Sequence, residues 1–230
     1  MVDPMDGNGG RNLATLARLL LGLLLGSLAL AKGEALAKGE AMAIEEPRYD
    51  VTLRDGPFEI RDYAPTVVAA TTVDGDSLSS ASNEGFRRLA AYIFGRNAAR
   101  PQAGGEAALP PVEARRSEKI AMTAPVGTTG SGGHWEITFA MPAARTLEDL
   151  PAPEDPRIAL RRVPARRVAS IRFSGTWRDT NVREHTVALF NWIAGQDLRR
   201  VGEPVLARYD PPWTLWFLRR NEILVEVEKP

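Results

Sequence analysis

The chain has no cysteine among its 230 residues. That absence removes disulfides, thiolate nucleophiles, cysteine-ligated metals and an acylated lipoprotein cysteine together. Histidine is nearly absent too, with only His134 and His185. Neither has a second His or a Glu at a spacing such as His-x-x-x-His, so a solvated or capping role explains each better than metal ligation. A charge surplus is also missing, because 29 Lys and Arg balance 29 Asp and Glu. Nothing then drives the chain onto nucleic-acid phosphates, and no nucleic-acid partner is expected. No glycine-rich phosphate loop and no tight carboxylate pair stands out.

One block invites an enzymatic reading. Gly75-Asp76-Ser77-Leu78 spells the nucleophile motif of an esterase family. A serine nucleophile needs a base, and that family supplies it from an Asp-x-x-His step; here the residue three before His185 is Val182. Gly75 to Ser82 reads instead as a turn leading into a helix. No catalytic residue is assigned, and the chain is not expected to be an enzyme.

What is present begins with the leader. Arg11 and Arg18 precede the apolar run Leu19 to Ala31, which ends in the small-x-small site Ala29-Leu30-Ala31, with a second such site at Ala41-Met42-Ala43. That order predicts a signal peptide or membrane anchor plus spacer over residues 1–43, with the domain of residues 44–230 exported to the periplasm or beyond. Any membrane contact is expected only through this segment if it stays uncleaved.

From Tyr49 onward the pattern turns to short strands. Phe58 and Ile60 alternate with Glu59 and Arg61; Trp135 to Met141 and Ile223 to Val227 alternate likewise, and further strands are expected at Thr66 to Val73, Ile158 to Val163, Val168 to Phe173 and Val205 to Tyr209. Two segments carry helical spacing: Phe86, Leu89, Ala90 and Ile93 before Gly95, and Thr186, Leu189, Phe190 and Ile193 before Gly195, with Asn181 and Glu184 at N-cap and N3 spacing. The stripes match at an offset of 100, and each follows a strand, a proline (Pro65, Pro164) and another strand. This predicts an α+β fold of two duplicated strand-strand-helix-strand-strand halves, each burying the other's apolar sheet face. Asn97 to Glu118, rich in Ala, Pro and Gly, reads as a loop insertion.

Three blocks resist local explanation: FEIRDY at 58 to 63, KIAMTAPV at 119 to 126, and YDPPWTLWFLRRNEILVEVE at 209 to 228. Together they closely resemble the recognisable segments of the SOUL haem-binding family, over about residues 46 to 230. The resemblance implies two pseudo-symmetric halves forming a distorted antiparallel β-barrel with two helices. KIAMTAPV would be the strand after the first helix and its bend, with Ala121 and Ala124 admitting the helix and Met122 filling a gap.

Family members bind haem or related tetrapyrroles, some on an apolar surface beside the first helix, others through a histidine in the FEIRDY segment. This chain has Asp62 there, a hard oxygen ligand, so histidine-ligated haem at that position is excluded. The resemblance therefore implies a tetrapyrrole held by apolar packing in a shallow groove, with Phe86, Ala90, Ile93 and Met122 as ligand-lining positions, Arg87 as propionate partner, and no metal held by protein ligands. The same two-fold barrel resembles effector-binding domains of bacterial regulators. On that alternative the partner is another amphipathic molecule, such as a hydrophobic cation drawn by Glu84 or Asp62, or a protein.

Overall fold

Nine strands of one antiparallel sheet and two helices carry the fold of the computed structural model, which describes residues 44–99 and 117–229. The expected leader over 1–43 and most of the 97–118 insertion lie outside those residues. In chain order the elements are β1 (Tyr49–Asp55), β2 (Phe58–Tyr63), β3 (Thr66–Asp74), α1 (Leu78–Ile93), β4 (Asn97–Ala98), β5 (Val126–Ser131) and β6 (His134–Ala140). There follow β7 (Ala152–Pro153), β8 (Ile158–Val163), β9 (Arg166–Phe173), α2 (Asp179–Ala194), β10 (Arg199–Arg208) and β11 (Asn221–Glu228).

The strand order is β1-β2-β9-β11-β10-β5-β6-β3-β8. Setting β1 aside, the order reads alike from either end once β2 is matched with β8, β3 with β9, β5 with β10 and β6 with β11. A two-fold relation between the halves produces that palindrome, and β2 and β8 lie 100 residues apart, as the sequence periodicity requires. Consecutive strands do not pair across Pro65 or Pro164. Proline offers no N–H to a ladder, so each half exchanges a strand: β2 pairs with β9 and β3 with β8.

Each helix covers its own core. Under α1, Leu89 and Ile93 pack with Ile137 and Phe139; under α2, Leu189 and Ile193 pack with Ile171 and Ile223. Leu78 of the first helix belongs to the second cluster and Trp135 touches both, which fastens the halves. Helix α1 approaches the sheet closely at Gly85, where an added Cβ would lie 2.5 Å from Ile137 Cγ1.

Three expectations are corrected. Among the described residues no pairing joins β1 to β8, so the sheet stays open and does not close into a barrel. Its edges explain why: β1 is largely exposed and carries Asp50, Arg54 and Asp55, while Arg161 and Arg162 of β8 are occupied by Glu136 and Glu148. Charged, solvated edges discourage further pairing. Next, α1 starts earlier than read, with Ser77 as N-cap accepting from the Ser80 N–H at 3.2 Å. Asn181 lies inside α2, donating to the Thr176 carbonyl at 2.8 Å, and Arg178 is the cap residue. Finally, residues 119–122 form no strand: Ile120 donates to the Ile93 carbonyl, and Thr123 bridges Glu45 ahead of a cis Ala124–Pro125 peptide.

Candidate functional site

The sheet face turned away from the helices holds a buried charge network. On β2 the odd positions Glu59, Arg61 and Tyr63 point there, and on β11 Glu222 does, since strand side chains alternate between faces. Glu222 is 0 % exposed and takes two hydrogen bonds from Arg61, at 2.6 and 3.2 Å. It also accepts from the Tyr209 hydroxyl at 2.9 Å and from Arg220 Nε at 3.0 Å. Arg61 lies over the Tyr49 ring and Arg220 over the Tyr209 ring. Burial alone would raise the Glu222 pKa, yet the hydrogen bonds and charge of Arg61 with the charge of Arg220 outweigh it and hold the carboxyl below its ordinary 4.5. Desolvation pulls Arg61 the other way, and Glu222 more than offsets it, so Arg61 rises. Burial, then the Glu222 charge, pushes the Tyr209 hydroxyl up. The pair is therefore ionised throughout the neutral range, and Tyr209 is a proton donor. With every oxygen of Glu222 engaged, the network is a scaffold without a free base.

Beside it the cleft between the halves is almost filled. A cavity of about 80 Å³ remains, lined by Val68, Gly127, Ala140, Ala207 and Leu224 among others. At the end of that cleft a larger pocket of about 400 Å³ opens where the turns of the two halves converge. Pro47, Ala64, Pro65, Val67, Val163 and Pro164 form its apolar walls, and the two spaces share residues of both turns. Prolines suit such walls because they leave no N–H unsatisfied. Glu45, Arg48, Arg145 and Arg162 stand at the rim. Arg145 is held by Glu118 and Asp149, and Arg162 by Glu148. Hydrogen bonding by Glu118 raises the Arg145 pKa, so that cation is permanent. Glu45 accepts the Ala143 N–H at 2.7 Å. Arg48 has no ion-pair partner among the described residues.

The five positions assigned from sequence do not come together here. Ile93 is 1 % exposed and Ala90 is buried, because the stripe that marked them faces the sheet. Phe86 packs on that core with its ring 5.5 Å from Phe139. Met122 is 37 % exposed beside exposed Ala121 and fills no gap. Arg87 is exposed, pairs with Glu84, and lines a separate depression of about 720 Å³ with Arg88, Arg96, Arg157, Glu154 and Asp155. Ala91, Tyr92, Pro156 and Ile158 line it between these charged groups. Arg88 there is bound to Thr71, Thr72 and Glu84.

Ser77 caps a helix, and its hydroxyl has no histidine partner. His134 meets Asp74 at 2.7 Å in the open, and His185 Nδ1 donates to the Asn181 carbonyl while its ring stacks on Phe173. Asp62 forms a two-armed pair with Arg167 at 2.7 Å on each arm, which lowers its pKa. Among the described residues no group of three His, Cys, Asp or Glu could hold a metal ion. The pocket residues escaped the sequence reading because they come from turns and the strand ends beside them, where periodicity is too short to mark a facing side. Asn97 escaped as well. Its buried amide donates to the Tyr92 and Glu118 carbonyls and accepts the Glu118 N–H, clamping the two stalks of the insertion together.

A family model, described as SOUL heme-binding protein, matches residues 44–226. The chain belongs to the SOUL family. The three blocks that suggested it converge on the site just described: Arg61 comes from FEIRDY, Arg220 and Glu222 from the last block, and Thr123 of KIAMTAPV donates to the Ala140 carbonyl at the pocket wall. No curated protein resembles the chain closely enough to register as a match. Among solved structures it is similar to the C-terminal domain of EcmrR, with 13 % identity, TM-score 0.53, and coverage of 79 % of this chain and 99 % of that one. The EcmrR–DNA complex is similar at 14 % identity and TM-score 0.51, covering 96 % and 74 %. A hydrolase from Listeria innocua follows at 13 % identity and TM-score 0.49, covering 77 % and 94 %. At such identities the two EcmrR likenesses show a shared fold and nothing of activity or partner.

Proposed function

We propose that this SOUL-family chain is a non-enzymatic, exported binder of haem or a related tetrapyrrole, held by apolar contact in the pocket where the two proline turns meet. One observation carries the proposal: the pocket is walled by Pro, Val and Ala from both halves and bordered by Arg48, which forms no ion pair among the described residues. Its size of about 400 Å³ falls inside the range of small-molecule sites. Burying a flat ring edge against such walls gives about 25 cal/mol per Å² of apolar surface, and a guanidinium suits a propionate because it forms paired hydrogen bonds. No iron ligand enters this description.

The hydrophobic-cation alternative loses the groups that would favour it. Glu84 is taken by Arg87 and Arg88, and Asp62 by Arg167. A pocket-filling test separates binding here from binding elsewhere. Ala64 and Ala143 line the pocket yet are exposed, so tryptophan at either position blocks the space without disturbing a core. Ala64→Trp and Ala143→Trp should each weaken protoporphyrin binding about tenfold or more at unchanged melting temperature, as lost ring burial requires. Undiminished affinity in both variants refutes the site.

A further inference from the structure

The β10–β11 connection is an unusual surface. Trp213, Leu215, Trp216, Phe217 and Leu218 are all more than half exposed, Trp213 at 83 %. Loops seldom present so many large apolar side chains together, and contiguous exposure of this kind marks an interaction surface. The exposure does not come from a loose chain. Arg219 donates to the Thr214 and Pro212 carbonyls at 2.8 and 2.6 Å, the Gly175 N–H donates to the Trp216 carbonyl at 3.0 Å, and residues 216–218 form a 3₁₀ turn. The backbone is fastened and the apolar side chains are left outside.

Beneath this tip lie cations without anions. Arg208 and Arg219 both stack on the Trp177 ring, 4.8 and 4.5 Å from its centroid. Arg178, the next residue, caps α2. Among the described residues none of these three forms an ion pair, whereas Arg61, Arg145, Arg157, Arg167 and Arg220 all do. Arg208 Nε is buried with no hydrogen-bond partner. Desolvation pushes the Arg208 pKa down to about 10, which still leaves it charged at neutral pH. Of the nearby acids, Asp210 is committed to the Arg220 N–H at 2.6 Å.

We propose that residues 212–218 dock on an anionic lipid bilayer, with the Trp, Phe and Leu side chains in the interfacial zone, Arg178 and Arg219 facing the phosphate headgroups, and Arg208 adding positive charge from beneath. Tryptophan favours that zone because its ring is apolar at one side and donates a hydrogen bond at the other. A collar of cations behind an apolar tip matches the two fields an anionic membrane offers, insertion and surface potential. A protein partner able to satisfy these arginines would instead present carboxylates, and vesicles would leave the loop untouched. Docking of this kind is separate from the tetrapyrrole pocket, whose lining includes none of these residues.

The test uses the full chain, and residues 1–43 contain no tryptophan, so indole emission reports on the domain whatever the leader does. Vesicles of phosphatidylcholine with one-third phosphatidylglycerol, carrying bromolipid as an embedded quencher, should quench and blue-shift the emission. Trp213→Ser/Trp216→Ser should abolish the quenching, and Phe217→Ser/Leu218→Ser, which keeps every indole, should reduce it. Quenching should need about tenfold less lipid with the anionic vesicles than with bromolipid-bearing phosphatidylcholine alone, and Arg178→Glu should raise the lipid needed. Equal quenching of the wild type and the tryptophan variant, or equal quenching by both vesicle types, overturns the proposal. So does a concentration-dependent dimer that the tryptophan variant dissolves, since the tip would then belong to a second copy of the chain.

Discussion

Glu222 sits where a single atom's change has the largest consequence. Its carboxylate and the Arg61 guanidinium are 0 % and 3 % exposed, so each holds the other's charge out of water. Breaking such a pair on one side strands a buried cation at a cost of about 3–5 kcal/mol. Glu222→Gln should therefore lower stability by that order in a chemical melt, and Arg61→Met/Glu222→Leu should recover much of it. The acid limb follows from the same carboxyl. Its folded pKa lies below the ordinary 4.5, so its stabilisation is complete above that value and is lost as pH falls through the folded pKa. Unfolding free energy should drop below about pH 4.5, and a melt series showing no loss there would contradict the pairing.

The motif residues were visible in the sequence, but their meeting was not. FEIRDY and RRNEI are recognisable strings, yet nothing local says that Arg61 reaches a carboxylate 161 residues away. That contact comes from strand exchange, which only the sheet order reveals. In the same way Asp62 was recognised as a departure from a ligating histidine, while its pairing with Arg167 depends on the β2–β9 register.

At the scale of elements, periodicity and capping chemistry act differently. The stripes of Leu89 with Ile93 and Leu189 with Ile193 identify the core-facing sides of both helices, because burial repeats every 3.6 residues. Helix starts were less legible. Ser79 to Ser82 is small and mostly polar, as in a turn, and the Ser77 hydroxyl accepting the Ser80 N–H makes it part of the first helical turn. Ser77→Ala should cost about 1 kcal/mol through the lost cap, read in a thermal melt. Strands β1 and β5 were missed for a related reason: β1 is exposed on both faces, and β5, VGTTGS, has few side chains large enough to alternate.

Gly85 sets two element-level effects against each other. Alanine in place of a mid-helix glycine ordinarily stabilises by about 1 kcal/mol. Here the new methyl would meet three Ile137 carbons at 2.5–2.7 Å, among them the Cβ, and Ile137 is fully buried. Overpacking of that kind costs about 1–3 kcal/mol, so Gly85→Ala should be net destabilising in thermal unfolding. A rise in melting temperature would show that α1 can lift from β6.

For the whole molecule, the duplication was legible because two helices and two strand pairs recur at one spacing, with a proline between the strands of each pair. The closure of the sheet was not, since it depends on what β1 and β8 do at their free edges, and charged edges carry no periodic signal. The proposed binding pocket lies where the two proline turns meet and is therefore a property of the assembled pair of halves. Its proposed grip on a tetrapyrrole rests on apolar walls plus Arg48, with Asp62 committed elsewhere and no ligating histidine near.

The most direct measurement of that claim is a side-by-side titration of the chain with haemin and with metal-free protoporphyrin, followed by absorbance and tryptophan quenching. Packing without an iron bond predicts dissociation constants within a few-fold of each other and a haemin spectrum without the shift of a protein axial ligand. Haemin binding about a hundredfold tighter than protoporphyrin, equivalent to some 3 kcal/mol, would mean that iron coordination holds the ligand and would contradict the account.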